Sequence, residues 1–176
     1  MITPLELLIA FCIDALIGDP RWLPHPVRII GKGIEWAEAL LRRLLPARIG
    51  GLLLAVIIVG ATYAVTYYVV EIIRLRIGGI TASIIIAYLA STTLALRGLV
   101  MAVGGVFKSK DIDLARQRLS RIVGRDTHSL DEEGVHRAAI ETLAENTSDG
   151  IIAPLFFLAI GGVPLAMAYK AINTLD

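Results

Sequence analysis

Between Arg137 and Pro154 the sequence reads RAAIETLAENTSDGIIAP, which brings Glu141, Glu145, Asn146 and Asp149 close together. On a helix Arg137, Glu141 and Glu145 stand four apart on one face. Asp149 continues that stripe only if the helix persists through Asn146, Thr147 and Ser148. Two or three carboxylates with an amide oxygen are donors that Mg²⁺ takes when it also binds a nucleotide's phosphates. The plainer alternative is an Arg–Glu surface pair followed by an Asn/Ser-rich helix end. Position favours binding. A charge-free run follows from Gly150 to Tyr169, and carboxylates crowded at the mouth of an apolar segment are costly unless they bind something.

Two further stretches carry chemistry. GDPRWLPHPVRIIGKG, residues 18–33, holds Pro20, Pro24 and Pro26 within seven residues, which predicts an irregular, stiff segment. It either fixes Asp19, Arg21, His25 and Arg28 in a binding site, or is a connector whose cations meet lipid headgroups, with Trp22 as an interface anchor. DIDLARQRLSRIVG, residues 111–124, predicts a helix with Ile112, Leu119 and Ile122 on one side and a stop at Gly124. Arg118, Arg121 and Arg125 share a face while that helix lasts. They form either a phosphate clamp or a solvated basic surface. Ser129 with Glu132 three residues on has the pattern of a capping box, opening the helix that bears the acidic motif.

Several chemistries are absent. No GxxxxGK[ST] loop occurs, so an ATP site here is not a P-loop. No His/Cys spacing suits a metal, and His25, His128 and His136 have no partner that would make a catalytic triad. Formal net charge is +1, which gives no case for nucleic acid binding. The lone Cys12 leaves no disulfide framework, and the Asn146-Thr147-Ser148 sequon is incidental if it faces the cytoplasm.

The elements that position these residues are apolar. Mean hydropathy is +0.71, and 56% of the 176 residues are hydrophobic, beyond the apolar share of ordinary soluble domains. No charge lies between Arg48 and Glu71, Arg76 and Arg97, or Asp149 and Lys170. Each gap approximates the ~20 residues a membrane-crossing helix needs. The predicted fold is all-α, a polytopic membrane protein forming one domain over 1–176, with spans at about 4–18, 49–70 and 77–96. The N-terminus has no basic n-region or cleavage site and reads as a retained first span. Asp14, inside that span, is either a buried functional acid or an interfacial residue near the helix end. Residues 34–45 predict a short amphipathic helix stopped by Pro46. Gly79, Ser83, Ala87, Ser91 and Ala95 form a small-residue stripe suited to close helix packing.

Loops 19–48 and 97–149 carry six and eight Lys/Arg, against Arg74 and Arg76 on the other side. The positive-inside rule puts both long loops in the cytoplasm, where the proline-rich loop, the arginines and the acids can meet. The last apolar segment, 150–169, holds Gly161-Gly162-Val163-Pro164 at its centre, which suits two half-helices in a re-entrant hairpin better than a straight span. Its tip is predicted at Gly161–Pro164, returning Lys170, Asn173 and Asp176 to the acidic motif.

GDPRWLPHPVRIIGKGIEW, LSRIVGRDTHSL, RAAIETLAENTSDGIIAPLFF and YKAINTLD, in this order, resemble the CbiB/CobD membrane family of cobalamin biosynthesis. The resemblance covers nearly the whole chain. It implies a multi-pass protein of the cytoplasmic (inner) membrane and the activity of adenosylcobinamide-phosphate synthase. That activity joins aminopropanol phosphate, or a related amino alcohol, to a propionate of adenosylcobyric acid, with ATP as co-substrate and Mg²⁺. Family members continue past the NTLD motif, so the chain resembles their N-terminal portion, with a missing C-terminal half or a homo-oligomer as possible completion. On this basis Glu141, Glu145 and Asp149 are assigned to catalysis through Mg²⁺ or amine binding. Arg121, Arg125 and Lys170 are assigned to phosphates, Asp19, His25 and Arg28 to the substrate entrance, and Asn146 and Asn173 to corrin amides. The alternatives are a non-catalytic regulator of the related AmpE type and a transporter fragment, whose broken helices would bind ions near mid-membrane.

Overall fold

The computed structural model describes residues 2–18 and 25–175, and every regular element among them is helical. Asp19, Arg21, Trp22 and Asp176 lie outside the described residues. Helix α1, Pro4–Leu16, opens on a capping box in which Thr3 Oγ1 accepts from Glu6 N–H and Glu6 accepts from Thr3 N–H. Helix α2 is Pro26–Leu44, longer than the predicted 34–45. Pro26 does not break it but begins it, since a first-turn proline needs no N–H partner. His25 is its N-cap, Nδ1 accepting from Val27 N–H at 3.3 Å.

Helix α3, Ala47–Arg76, has 30 residues, roughly 45 Å of rise. Helix α4, Gly79–Ser91, stops short of the predicted 77–96. The hydroxyls of Ser91, Thr92 and Thr93 each donate to a carbonyl three residues back at 2.7 Å. Such local bonds compete with the helical ladder, and they turn the chain into a second helix, α5, Leu96–Phe107. The small-residue stripe therefore leaves the helix before Ala95. Its packing role is served by α1, which lies on α4 with Ala10, Ala87 and Ala90 all fully buried.

Residues 92–95 are held from two sides. Asp14, 2% exposed, accepts from Leu96 N–H at 2.8 Å and so caps α5 from α1. In return Arg97 Nη1 donates to the Leu16 carbonyl at the end of α1. Asp14 is thus buried, and its observed work is structural.

Helix α6 is Ile112–Leu119, capped by Asp111, and α7 is Glu132–Thr147. The cap of α7 is Asp131, whose Oδ1 accepts from Gly134 N–H at 2.8 Å, rather than Ser129. Helices α5, α6 and α7 enclose one apolar core around Val103, Val106, Leu119, Val135 and Ala138. A second core joins α1, α3, α4 and α8 around Ala10, Ile86, Leu94, Leu158 and Met167.

Helix α7 runs without interruption into a π-helical turn, Ser148–Ile152, and then into α8, Ala153–Leu175. Within α8, Gly162 has φ 68° and ψ −164°, a conformation that glycine tolerates, and Pro164 follows two residues on. The rings of Phe157 and Tyr169 stack at 4.8 Å, and Asn173 Nδ2 donates to the Asp149 carbonyl at 3.4 Å. A straight helix would put that second pair roughly 36 Å apart. The segment is a helical hairpin whose tip, Gly161–Pro164, lies beside Val70 and Arg74 of α3. Ala47–Arg76, Gly79–Phe107 and Glu132–Leu175 are long and apolar enough to cross a membrane, though the turn at 92–95 and the hairpin tip interrupt the latter two.

Asp14→Ala is expected to lower stability by about 1–3 kcal/mol, because the part-buried N–H that opens α5 loses its acceptor. Thermal unfolding in detergent should show a reduced midpoint, with Leu5→Ala, at an exposed position, near neutral. An unchanged midpoint for Asp14→Ala would contradict the capping role. In a Cys12→Ser background, cysteines introduced at Asn146 and Asn173 should react with a membrane-impermeant maleimide from the same side of sealed vesicles. Opposite sidedness would show that 153–175 crosses the membrane instead of turning back.

Candidate functional site

The π-turn puts the acidic motif against the broken helix α4–α5. Ala95 N–H donates to the Gly150 carbonyl at 3.0 Å, and a Cβ on Gly150 would stand 3.3 Å from the Ala95 Cβ. Only a residue without a side chain lets the two backbones meet there without displacement. Ala95 and Gly150 line one cleft, and a second cleft adjoins it.

The first cleft, of about 390 Å³, is framed by Val27 of α2, Ala95 just before α5, Gly98 and Ala102 of α5, and Lys170, Asn173 and Thr174 of α8. The second, of about 460 Å³, lies under the loop that joins α6 to α7. Val123, Gly124 and Arg125 form one wall, and Glu141 and Glu145 form the other. Ile122, Thr142, Asn146, Asp149 and Asn173 line both clefts. The shared lining makes the two clefts neighbours.

Helix persistence through Ser148 decides the placement of the acids. Because α7 continues into the π-turn, Asp149 does follow Glu141 and Glu145 along the same cleft. Asn146 Nδ2 donates to the Thr142 carbonyl at 2.9 Å, and Thr147 Oγ1 to the Leu143 carbonyl at 2.6 Å. The carboxamide oxygens of Asn146 and Asn173 are thus left for ligand donors. Tyr169, on the returning arm of the hairpin, interacts with the Asp149 carboxylate and the Asn173 amide.

The structure gathers Arg125, Glu141, Glu145, Asn146, Asp149, Lys170 and Asn173 around these two clefts. It does not gather the others. His25 and Arg28 flank Val27 but line neither cleft, and Arg121 is exposed in the turn after α6. Asp19 is outside the described residues. The three-arginine face also dissolves, because α6 ends at Leu119. Arg118 turns away to donate to the Gly105 carbonyl at 2.6 Å, and Arg125 sits alone over the second cleft.

Among the described residues no three His, Cys, Asp or Glu side chains cluster closely enough to hold a metal ion. The expected three-carboxylate set is therefore not assembled. Glu141 is drawn to Arg125, with Nη2 to Oε2 at 2.6 Å. Glu145 and Asp149 remain, and two carboxylates fit a Mg²⁺ that arrives on nucleotide phosphates and keeps several waters.

Sequence reasoning missed Thr142, Tyr169 and the α5 wall. For that wall a signal existed: Ala95, Gly98 and Ala102 recur three and four apart, and a Cβ on Gly98 would meet nothing within 4 Å. Ala95, Gly98 and Ala102 all line the first cleft.

Residues 7–176 match the family described as CobD/Cbib protein. The chain is 48% identical over 96% of its length to the cobalamin biosynthesis protein CobD of Geobacter metallireducens. It is 48% identical over 98% to that of Pelobacter propionicus, and 46% identical over 99% to the cobalamin biosynthesis protein CbiB of Salmonella typhimurium. It spans 54%, 54% and 56% of those relatives, about half their length. No solved structure matches. With clefts, acids and hairpin all inside the matched residues, the chain belongs to the CobD/CbiB family.

Proposed function

We propose that the paired clefts carry out an ATP-dependent amide synthesis in cobalamin biosynthesis, joining an amino alcohol phosphate to the propionate of adenosylcobyric acid. The observation that carries this is the shared wall. Asn146, Asp149 and Asn173 border both clefts, with Lys170 in one and Arg125, Glu141 and Glu145 in the other. Two substrates held on either side of one wall gain the proximity that a bimolecular condensation lacks in water.

A carboxylate does not acylate an amine directly. In the proposed reaction the propionate oxygen attacks the γ-phosphorus of ATP and ADP departs, leaving an acyl phosphate. The amine nitrogen then attacks the acyl carbon, inorganic phosphate leaves, and the nitrogen gives up a proton to form the amide. Bound Mg²⁺ would offset phosphate charge. Lys170 offers a cation to the carboxylate or its phosphorylated form in the first cleft. Glu145 and Asp149 offer carboxylates to the amine or to the metal, and Asp149 is the better placed to take the amine's proton, because it lies on the shared wall. The oxygens of Asn146 and Asn173 can accept from the carboxamides around a corrin ring. Ala95, Gly98, Leu99 and Ala102 give that cleft an apolar wall suited to a ring edge.

The positive-inside rule puts the clefts on the cytoplasmic face of the inner membrane, where ATP is available. The relatives run to almost twice this length, so segments matching their remainder, or a second copy, could complete the site.

Membranes containing the protein, supplied with adenosylcobyric acid, aminopropanol phosphate and Mg-ATP, should yield adenosylcobinamide phosphate. Glu145→Gln should lower the rate about 100-fold or more, the scale of losing a positioned acid–base or charge partner. Normal synthesis by Glu145→Gln would remove that residue from the chemistry. Absence of product from the protein, alone and joined to the rest of a family member, would favour a regulatory membrane protein instead.

A further inference from the structure

We propose that the apolar groove between α2 and α3 binds an acyl chain of a bilayer phospholipid, and that this chain braces the first turn of α2 beside the first cleft. The groove is separate from both clefts and does not depend on the reaction proposed for them.

Its volume is about 350 Å³. Ile29, Ile30 and Gly33 of α2 form one wall, and Ile58, Ala61 and Val65 of α3 form the other. It reaches inward to Leu89 of α4 and to Met167 of α8, which is 2% exposed and belongs to the core shared by α1, α3, α4 and α8. The walls stand apart: among the described residues a Cβ on Gly33 would meet only Ile58 Cδ1, at 3.9 Å. No ionisable side chain lines the groove among the described residues. Arg28, Lys32 and Glu35 fall on the other side of α2.

Depth and shape select the occupant. The groove runs along residues 58–69 of α3, inside the charge-free run between Arg48 and Glu71, so it lies at hydrocarbon depth. Ile29 and Val65, which line it, are 65% and 62% exposed. It therefore opens sideways onto the apolar surface of a helix long enough to span the membrane. Its polar side chains are Thr62 and Thr66 alone, too few to hold water in a space of that size. Left empty, its lining would lose dispersion contacts. A helix about 10–12 Å across would lie over the opening without reaching Met167. A single hydrocarbon chain is thin enough to enter.

The first turn of α2 stands between this groove and the first cleft. Pro26 and Ile29 line the groove, and Val27 lines the cleft. A chain seated on one side of that turn holds the wall on the other.

The test counts phospholipid bound to protein purified in detergent, by phosphorus content and mass spectrometry. The unsubstituted protein should retain a stoichiometric phospholipid. Gly33→Leu and Ala61→Leu, whose new side chains fill the groove, should lose it. Gly31→Leu makes the same exchange in α2 at a residue outside the groove, where a Cβ meets nothing, and should keep it. Phospholipid added back to delipidated protein should raise the thermal midpoint by about 2–4 °C or more in the unsubstituted protein and Gly31→Leu, but not in Gly33→Leu. In a Cys12→Ser background, Val27→Cys should react faster with a maleimide after delipidation, and Gly33→Leu should abolish that difference. No retained lipid in the unsubstituted protein, or equal retention by all three variants, would overturn the site. Loss of a dimer in Gly33→Leu with an unchanged lipid count would overturn it in favour of a second copy. Val27→Cys reactivity indifferent to lipid would overturn the brace.

Discussion

The hydrogen bond from Ala95 N–H to the Gly150 carbonyl is the contact on which the rest of the site depends. It joins the break between α4 and α5 to the π-turn between α7 and α8, two places where regular helix gives way. Each irregularity leaves backbone groups in need of partners, and here they meet each other. Once joined, the acids of α7, the small-residue wall of α5 and the returning arm of the hairpin are brought to one place. A side chain at Gly150 would press on Ala95 and part the two walls.

A second exchange supports the first. Asp14 caps α5, and Arg97 closes the end of α1, so the break at 92–95 is fixed from the α1 side as well. This weakens a transport role. An acid inside a span is by default a candidate ion or proton site, but Asp14 is engaged with backbone. Glu6, the other buried acid of α1, serves Thr3 N–H and lies 3.7 Å from Arg74. Glu145 and Asp149, which line the second cleft, lie instead where α7, packed in one apolar core, passes through the π-turn into α8, packed in the other. Such a junction suits chemistry: one core fixes α7 and the Arg125 loop, and the other fixes the hairpin.

Much of this was legible in the residues. The charge-free runs gave an all-helical membrane protein, and Gly161-Gly162-Val163-Pro164 marked where the last segment turns back, since only glycine accepts the φ of 68° found at Gly162. The grouping of Glu145, Asn146 and Asp149 with Lys170 and Asn173 followed from that turn. Three things were not legible. The apolar run predicts a helix continuing to Leu96, whereas three successive hydroxyls end α4 by bonding backward. The arginine stripe presumed a helix through Gly124, but α6 stops at Leu119, and each arginine then goes its own way. Glu141 looked like a metal ligand at a spacing of four, but its partner, Arg125, is 16 residues away in sequence, beyond any local pattern.

The whole site requires the hairpin to return Lys170 and Asn173 to the acids of α7. Double electron–electron resonance between spin labels at Glu145 and Thr174, in Cys12→Ser protein reconstituted in bilayers, tests it most directly. The folded-back arrangement gives a short distance, near the lower limit of the method. A distribution centred near 40 Å, about the rise of a straight helix over that separation, would contradict it and dismantle the site.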